Sequence, residues 1–335
     1  MQKKHGPDVF HAADKTPPYD VCSTGSYALD FATGVGGFPR GFLVEVFSKE
    51  SVGKTSLSYY SIAEAQRMGT YCAFINLEGR FDEDWARQLG VDIGKLHVAN
   101  PGHGQNAADI LYECVDSGVI RHIVFDSVGA MLGEEELDGK DRVAGQAKLV
   151  TGMVKRVLAK AWRNRCTVVF LNQARADMHS MIPGQVESPG GYAIRHACSM
   201  RILLKRHEGY KGVVDGAKKE IGFRTTATLR KNKAGASPKR VASWDFYTDA
   251  VDGHEVGIDH TEEIMSVCAN PGVNIIERAG AYYHHPSFPA DKKGEHKIQS
   301  RESVVEFLRA NPESVTAIRE DMLKHLRSTW SAEAA

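Results

Sequence analysis

The stretch Phe42-Leu-Val-Glu-Val-Phe-Ser-Lys-Glu-Ser-Val-Gly-Lys-Thr55 constrains this chain more than any other. It reads as an apolar strand over Phe42–Phe47, a short loop, and a helix opening at Gly53-Lys54-Thr55. That succession is the setting a phosphate-binding P-loop requires. Unsatisfied N–H groups at a helix N-terminus, reinforced by the macrodipole, attract an anion. The expected nucleotide cradle is Ser48, Lys49, Glu50, Ser51, Val52, Gly53, Lys54, Thr55 and Ser56, with Lys54 on the β- and γ-phosphates and the Thr55 hydroxyl on Mg²⁺. The usual pattern is G-x-x-x-x-G-K-[ST], and Ser48 stands where the first glycine belongs. Glycine there opens backbone angles closed to other residues, so Ser48 is expected to alter the loop entry. The competing reading is a chance Gly-Lys-Thr at an ordinary helix start.

The rest of the chain weighs between the two. From 42 to about 204, β-like runs (Phe42–Phe47, Tyr71–Leu77, Leu96–Ala99, His122–Phe125, Thr167–Leu171, Cys198–Leu204) alternate with helical patterns (Lys54–Met68, Asp82–Leu89, Gln105–Ser117, Gln146–Asn164). Apolar strands separated by helices predict an α/β fold with a parallel sheet covered on both faces. Ligands gather outside the carboxyl ends of such strands. Three chemically suggestive residues fall at those ends. Asp126 closes His122–Asp126 and suits a Walker B carboxylate that holds the water shell of Mg²⁺; the alternative is a helix cap. Glu78 follows Tyr71–Leu77 and can orient and deprotonate water; a solvated loop Glu is the alternative. Gln173 ends the strand Val168–Gln173 and can sense a γ-phosphate, or be a structural amide.

At 335 residues the chain suits one large domain and a small one. Net charge is zero, so any affinity for nucleic acid must come from local patches. Residues 205–240 form the one strongly basic region. The six cysteines are widely spaced without Cys-x-x-Cys pairs, which reads as reduced, buried thiols and no metal framework. No apolar run approaches membrane-spanning length and Met1–Gly6 lacks a signal-peptide core, so the expectation is cytoplasmic with no membrane partner. Beyond 240, a strand-like run Ser243–Tyr247 precedes Thr261–Val267, Gly280–His284 and a helical end over Ser300–Leu326 broken at Asn311-Pro312. The expected division is an N-terminal contact segment over 1–30, an ATPase core over 31–257 and a small α+β domain over 258–335.

In order and spacing, the runs Ser23-Thr-Gly-Ser, Cys72-Ala-Phe-Ile, Ala86-Arg-Gln-Leu-Gly-Val-Asp92, Asp126-Ser-Val, Asn172-Gln173-Ala-Arg175, Gly190-Gly191, Lys231-Asn-Lys233 and Glu277–Tyr283 carry a further signal. Together with the P-loop they make the chain resemble bacterial RecA-type recombinases along nearly its whole length. The divergence between these runs suggests a distant, phage-encoded relative rather than a housekeeping copy. The resemblance implies a RecA-like ATPase core that binds ATP and Mg²⁺, forms a homo-oligomeric helical filament on single-stranded DNA, and exchanges strands with homologous double-stranded DNA. It implies that Glu78 is the catalytic glutamate, Asp126 the Walker B aspartate, and Gln173 the link from nucleotide to DNA loop. Asp82 and Trp85 fall where the family contacts and stacks on adenine; a core role for Trp85 on an amphipathic helix is the alternative. Lys231 and Lys233 match a lysine pair that reaches a neighbour's ATP, with Arg195 as a further candidate. Glu136–Gly145 and Ala174–Gly190 correspond to the first and second DNA loops. Arg156, Arg175, Met181, Ile182, Gly190 and Gly191 are the implied DNA contacts, through phosphate neutralisation and base wedging. Relatives begin with a helix that packs on the adjacent protomer; here only a strand over Asp8–His11 is expected. The acidic tail of many relatives is not matched by Trp330–Ala335, so readier engagement of duplex DNA is expected. Rival readings are a ring-forming helicase of the same fold, a DNA-binding protein that holds ATP without hydrolysing it, and a P-loop small-molecule kinase.

Overall fold

The computed structural model describes residues 20–79, 81–131, 142–176, 186–189, 191–214, 216–235, 240–251 and 253–333. The strand expected at Asp8–His11, most of the first DNA loop, and Met181, Ile182 and Gly190 lie outside them. The chain opens with β1 (Val21–Cys22), α1 (Tyr27–Thr33) and β2 (Phe38–Pro39). An α/β alternation follows: β3 (Leu43–Ser48), α2 (Lys54–Arg67), β4 (Tyr71–Asn76), α3 (Glu83–Gln88), β5 (Leu96–Ala99), α4 (Gly104–Asp116), β6 (Ile120–Asp126), α5 (Arg142–Arg163) and β7 (Thr167–Gln173). Next come β8 (Arg175–Ala176), β9 (Val186–Glu187), α6 (Gly191–Ala197), β10 (Met200–Val214), β11 (Ala217–Asn232), β12 (Val241–Tyr247) and β13 (Gly257–Ile258). The C-terminal region holds α7 (His260–Cys268), β14 (Glu277–Ala279), β15 (Tyr282–His284), β16 (Lys297–Gln299), α8 (Arg301–Ala310) and α9 (Pro312–Glu333).

Nine of these strands form one sheet in the order β13-β12-β11-β10-β3-β7-β6-β4-β5. The six strands from β10 to β5 are parallel, as the apolar runs predict. The β10–β11–β12–β13 edge is antiparallel, which the sequence reading did not anticipate. The strand expected to stop at Leu204 instead runs on to Val214 and turns back as β11. Its continuation, Lys205–Val214, has no buried residue and begins with four polar ones, so the basic stretch is an extended hairpin held by strand pairing rather than by burial.

Strict period-2 alternation sorts the central strands between two cores. Val44, Val46, Phe74, Val124, Val169 and Leu171 pack with α1 and α2 on one face. Leu43, Ala73, Ile75, Ile123, Phe125 and Phe170 pack with α4 and α5 on the other. Each fully buried apolar side chain of this size stabilises by roughly 1.5–3 kcal/mol, which is why the parallel strands tolerate so few polar residues. A third core joins α7, α8 and α9, and Tyr27 and Phe31 of α1 pack against it. Glu263 of α7 accepts hydrogen bonds from Ser26 Oγ, Tyr27 N (3.1 Å) and Ala28 N (3.3 Å), satisfying the open amides at the start of α1. The Asn311-Pro312 break is observed as the junction of α8 and α9.

Candidate functional site

Residue type alone sets the entry to α2. Gly53 takes φ 93°, the left-handed region, and so turns the chain from loop into helix where a β-carbon would be strained. The 14-residue helix that follows points its free N-terminal amides back at the loop. Ser48 is fully buried at the end of β3, and its backbone is not in the left-handed region, so glycine is not needed there. Its hydroxyl takes a specific part instead. Ser48 Oγ donates to Lys49 O (2.6 Å) and accepts from Lys54 Nζ (3.1 Å). Lys54 Nζ also donates to Lys49 O (3.0 Å) and, more weakly, to Ser48 O (3.5 Å), so the loop itself holds the ammonium. Burial lowers the Lys54 pKa from its ordinary value, against the opposing pull of Asp126, Glu78 and Glu50.

Sheet order brings the other expected residues to the same place. β3, β7, β6 and β4 are adjacent. Ser48 pairs with Gln173, Asp126 with Leu171, and Asn76 with Asp126, so their carboxyl ends lie level. With strands about 4.8 Å apart, these ends span only about 15 Å. Thr55 Oγ1 donates to Asp126 Oδ2 at 3.1 Å, joining the two groups expected around Mg²⁺. Glu78 follows β4; its backbone N–H donates to Asn76 Oδ1 (3.2 Å), and its carboxylate accepts a hydrogen bond from Ser127 Oγ. Lys54, Thr55, Asp126 and Glu78 therefore form one electrostatic group.

Burial, and then the Glu78 charge, push the Asp126 carboxyl up to about 6, while Thr55 and Lys54 oppose the rise. The ordinary value is 3.8, so folding favours the protonated acid. Its stabilising contribution is complete below about 4 and is lost as the pH rises through about 6. A cation needs the opposite form and is favoured above that pH. Relative to an Asp126→Asn variant, the parent should lose thermal stability between pH 4 and 7, and Mg²⁺ should restore it only above about pH 6. Equal stabilisation of parent and Asp126→Asn by Mg²⁺ at pH 7, by calorimetry, would remove Asp126 from cation binding.

Asp82 caps α3 by accepting from Trp85 N (3.0 Å), and Trp85 Nε1 donates to Ser56 Oγ (3.1 Å) on α2. Trp85 is half-buried with its ring 6.1 Å from that of Phe246. The expected adenine positions thus adjoin the P-loop helix, and Trp85 also closes the core. Lys231 and Lys233 lie elsewhere. Lys231 pairs with Arg201 at the amino end of β10, away from this chain's own P-loop, and its ammonium donates to Arg195 O (2.7 Å) and His196 O (2.9 Å). Arg156 of α5 is engaged by α4, donating to Asp109 Oδ1 (2.6 Å) and covering the Tyr112 ring at 4.3 Å. Arg175 is exposed in β8, and Gly191 opens α6.

The sequence reading missed Ser127, Asn76 and Glu45. Only Glu45 left a signal, a carboxylate inside an otherwise apolar strand. Among the described residues no group of three or more His, Cys, Asp or Glu side chains is arranged to hold a metal alone. Mg²⁺ commonly takes one or two protein ligands and completes its shell with substrate phosphates and water, which Thr55 and Asp126 fit.

The chain matches the family of the RecA N-terminal domain over residues 2–252. It is 36% identical over 301 residues to Protein RecA of Thermotoga maritima, covering 88% of this chain and 80% of that protein. To Protein RecA of Heliobacterium modesticaldum it is 35% identical over 319 residues, covering 94% and 86%. Against Protein RecA of Acinetobacter baylyi the match is 33% over 340 residues, covering 100% of this chain and 92% of that protein.

Proposed function

The chain belongs to the RecA family, and on that premise we propose an ATP-dependent DNA recombinase that filaments on single-stranded DNA and exchanges it with a homologous duplex. One observation carries the reading. Four adjacent strands deliver Lys54 with Thr55, Gln173, Asp126 and Glu78 to one sheet end. Phosphoryl transfer to water asks mainly for positioning and electrostatics, and this set supplies both.

In this reading Lys54 and the α2 amides hold the β- and γ-phosphates. Thr55 and Asp126 would hold Mg²⁺ beside the phosphates. The ion, when bound, neutralises charge on the phosphate oxygens. Glu78, oriented by Ser127, accepts the proton of the attacking water. Asp82 and Trp85 flank adenine. Gln173 meets the γ-phosphate and passes its presence to the segment that begins at Ala174. Arg175, Met181, Ile182, Gly190 and Gly191, with Arg156 once its pairing with Asp109 is exchanged for phosphate, contact the DNA.

Lys231 and Lys233 serve the ATP of the next subunit, which fits their placement at the opposite end of the sheet. Replacing both by alanine should leave the monomer folded and lower hydrolysis on single-stranded DNA by about 10³-fold, the scale of an arginine finger. Full activity in that variant would mean that the site is not shared between subunits. No described helix is long and apolar enough to cross a membrane. A bacterial cytoplasmic setting is part of the proposal.

A ring-forming motor of the same fold would not require the region after Ile258, which the match to the Acinetobacter protein includes. The deciding experiment is strand exchange with homologous and heterologous duplexes, alongside electron microscopy with single-stranded DNA and a non-hydrolysable ATP analogue. Filaments and homology-dependent exchange are expected. Closed rings, or exchange indifferent to homology, would overturn the reading.

A further inference from the structure

Glu45 is fully buried in the middle of β3, between Val44 and Val46 and in the parity that faces α4 and α5. A carboxylate there is tolerated only if both oxygens are matched. Asn172 Nδ2 donates to Glu45 Oε1 at 3.0 Å, and Arg201 Nε donates to Glu45 Oε2 at 2.6 Å. Each partner then reaches further. Asn172, itself fully buried, also donates to Pro189 O (2.9 Å) and accepts from the backbone N–H of Gln173 (3.0 Å). The Arg201 guanidinium donates to Ser188 Oγ (3.0 Å) and to Glu187, and lies 4.9 Å over the Phe47 ring. Arg195 adds a bond to Ser188 O (3.3 Å), and its own carbonyl receives Lys231.

Two distant stems meet on this one carboxylate. Asn172–Gln173 is the end of β7 that faces the γ-phosphate position. Glu187–Pro189 is the returning stem of the second expected DNA loop, zipped to the outgoing one by the pairs Arg175–Glu187 and Ala176–Val186. A buried ion pair is a poor source of stability compared with apolar packing, but it fixes geometry in one arrangement.

We propose that Glu45, acting with Arg201, is the positioning pair that couples the nucleotide site to the DNA-loop stems and to Lys231. It touches neither nucleotide nor DNA. It holds the Gln173 backbone and the Glu187–Pro189 stem in mutual register, so that a change at one is felt at the other. The inference rests on the function proposed above.

Two readouts, one kinetic and one a binding ratio, report the coupling. The first is the ratio of ATP hydrolysis with and without single-stranded DNA. The second is the factor by which a non-hydrolysable ATP analogue tightens binding of a fluorescent oligonucleotide. In Glu45→Gln both ratios should fall at least tenfold towards unity. Affinity for the ATP analogue without DNA, and hydrolysis without DNA, should stay within twofold of the parent. The paired variant Glu45→Met with Arg201→Met removes the relay without stranding a buried charge, and covers the case in which Glu45→Gln fails to fold. It should behave alike.

Coupling ratios within twofold of the parent in either folded variant overturn the proposal. So does a parallel loss of nucleotide affinity and thermal stability in both, which marks Glu45 as structural only. A parent that hydrolyses ATP at the same rate with and without DNA sinks the recombinase reading first, and the relay with it.

Discussion

Alanine in place of Lys54 is expected to cut DNA-stimulated ATP hydrolysis by at least 10²–10³-fold, the usual cost of removing a preorganised charge from phosphoryl chemistry. The geometry makes this a sharp test. The Lys54 ammonium is held by Ser48 Oγ (3.1 Å) and Lys49 O (3.0 Å), so it is aimed into the loop. The fold should not suffer. Lys54 is the first residue of α2, alanine is the best helix former, and burial already disfavours the charged amine. Thermal stability of the ligand-free variant should therefore equal or exceed that of the parent. Fluorescent-nucleotide titration and steady-state hydrolysis report the two effects separately. Hydrolysis retained within tenfold would mean that this loop is not the phosphate site, whatever its sequence.

Glu78→Gln should be the second large effect, with a different signature. The amide keeps an oxygen that can accept from Ser127 Oγ, so the side chain stays oriented. It cannot take a proton. Hydrolysis should fall by about 10²–10⁴-fold, the range for loss of a general base, while affinity for ATP changes little. One like charge beside Asp126 also disappears, and the Asp126 carboxyl should then titrate below its parent value of about 6. Because ATP is still bound but not consumed, filaments on single-stranded DNA should last longer than those of the parent. Equal turnover in parent and variant would take Glu78 out of the mechanism, and a loss of ATP binding instead would recast it as a structural partner of Ser127.

Arg156 tempers the DNA-contact assignments. Its guanidinium pairs with Asp109 and covers Tyr112, so binding phosphate requires an exchange of partners. Among the described residues the exposed Arg175 side chain has no such partner to exchange, and its alanine variant is the cleaner probe of the stem.

What the chain determined by sequence alone is local. Phe42–Thr55 set a strand, a loop and a helix start, because apolar alternation, a glycine with φ 93° and the Gly-Lys-Thr turn each act over a few neighbours. The same locality made the ends of β4, β6 and β7 readable, and with them Glu78, Asp126 and Gln173 as candidates. Their meeting was not readable. β3 is followed in the chain by β4 but lies beside β7 and β10 in the sheet, and only that non-sequential order draws four strand ends within about 15 Å. The hairpin of β10 and β11 escaped for a related reason, since its polar outer half carries no helix or core period and is held by pairing rather than by burial. Glu45 is the clearest case. Its sequence offers an anomaly in an apolar strand, and only the tertiary structure supplies Asn172 and Arg201, from residues more than a hundred positions away, to neutralise it. Partners of a buried charge are chosen by three-dimensional packing, and no spacing rule along the chain encodes them.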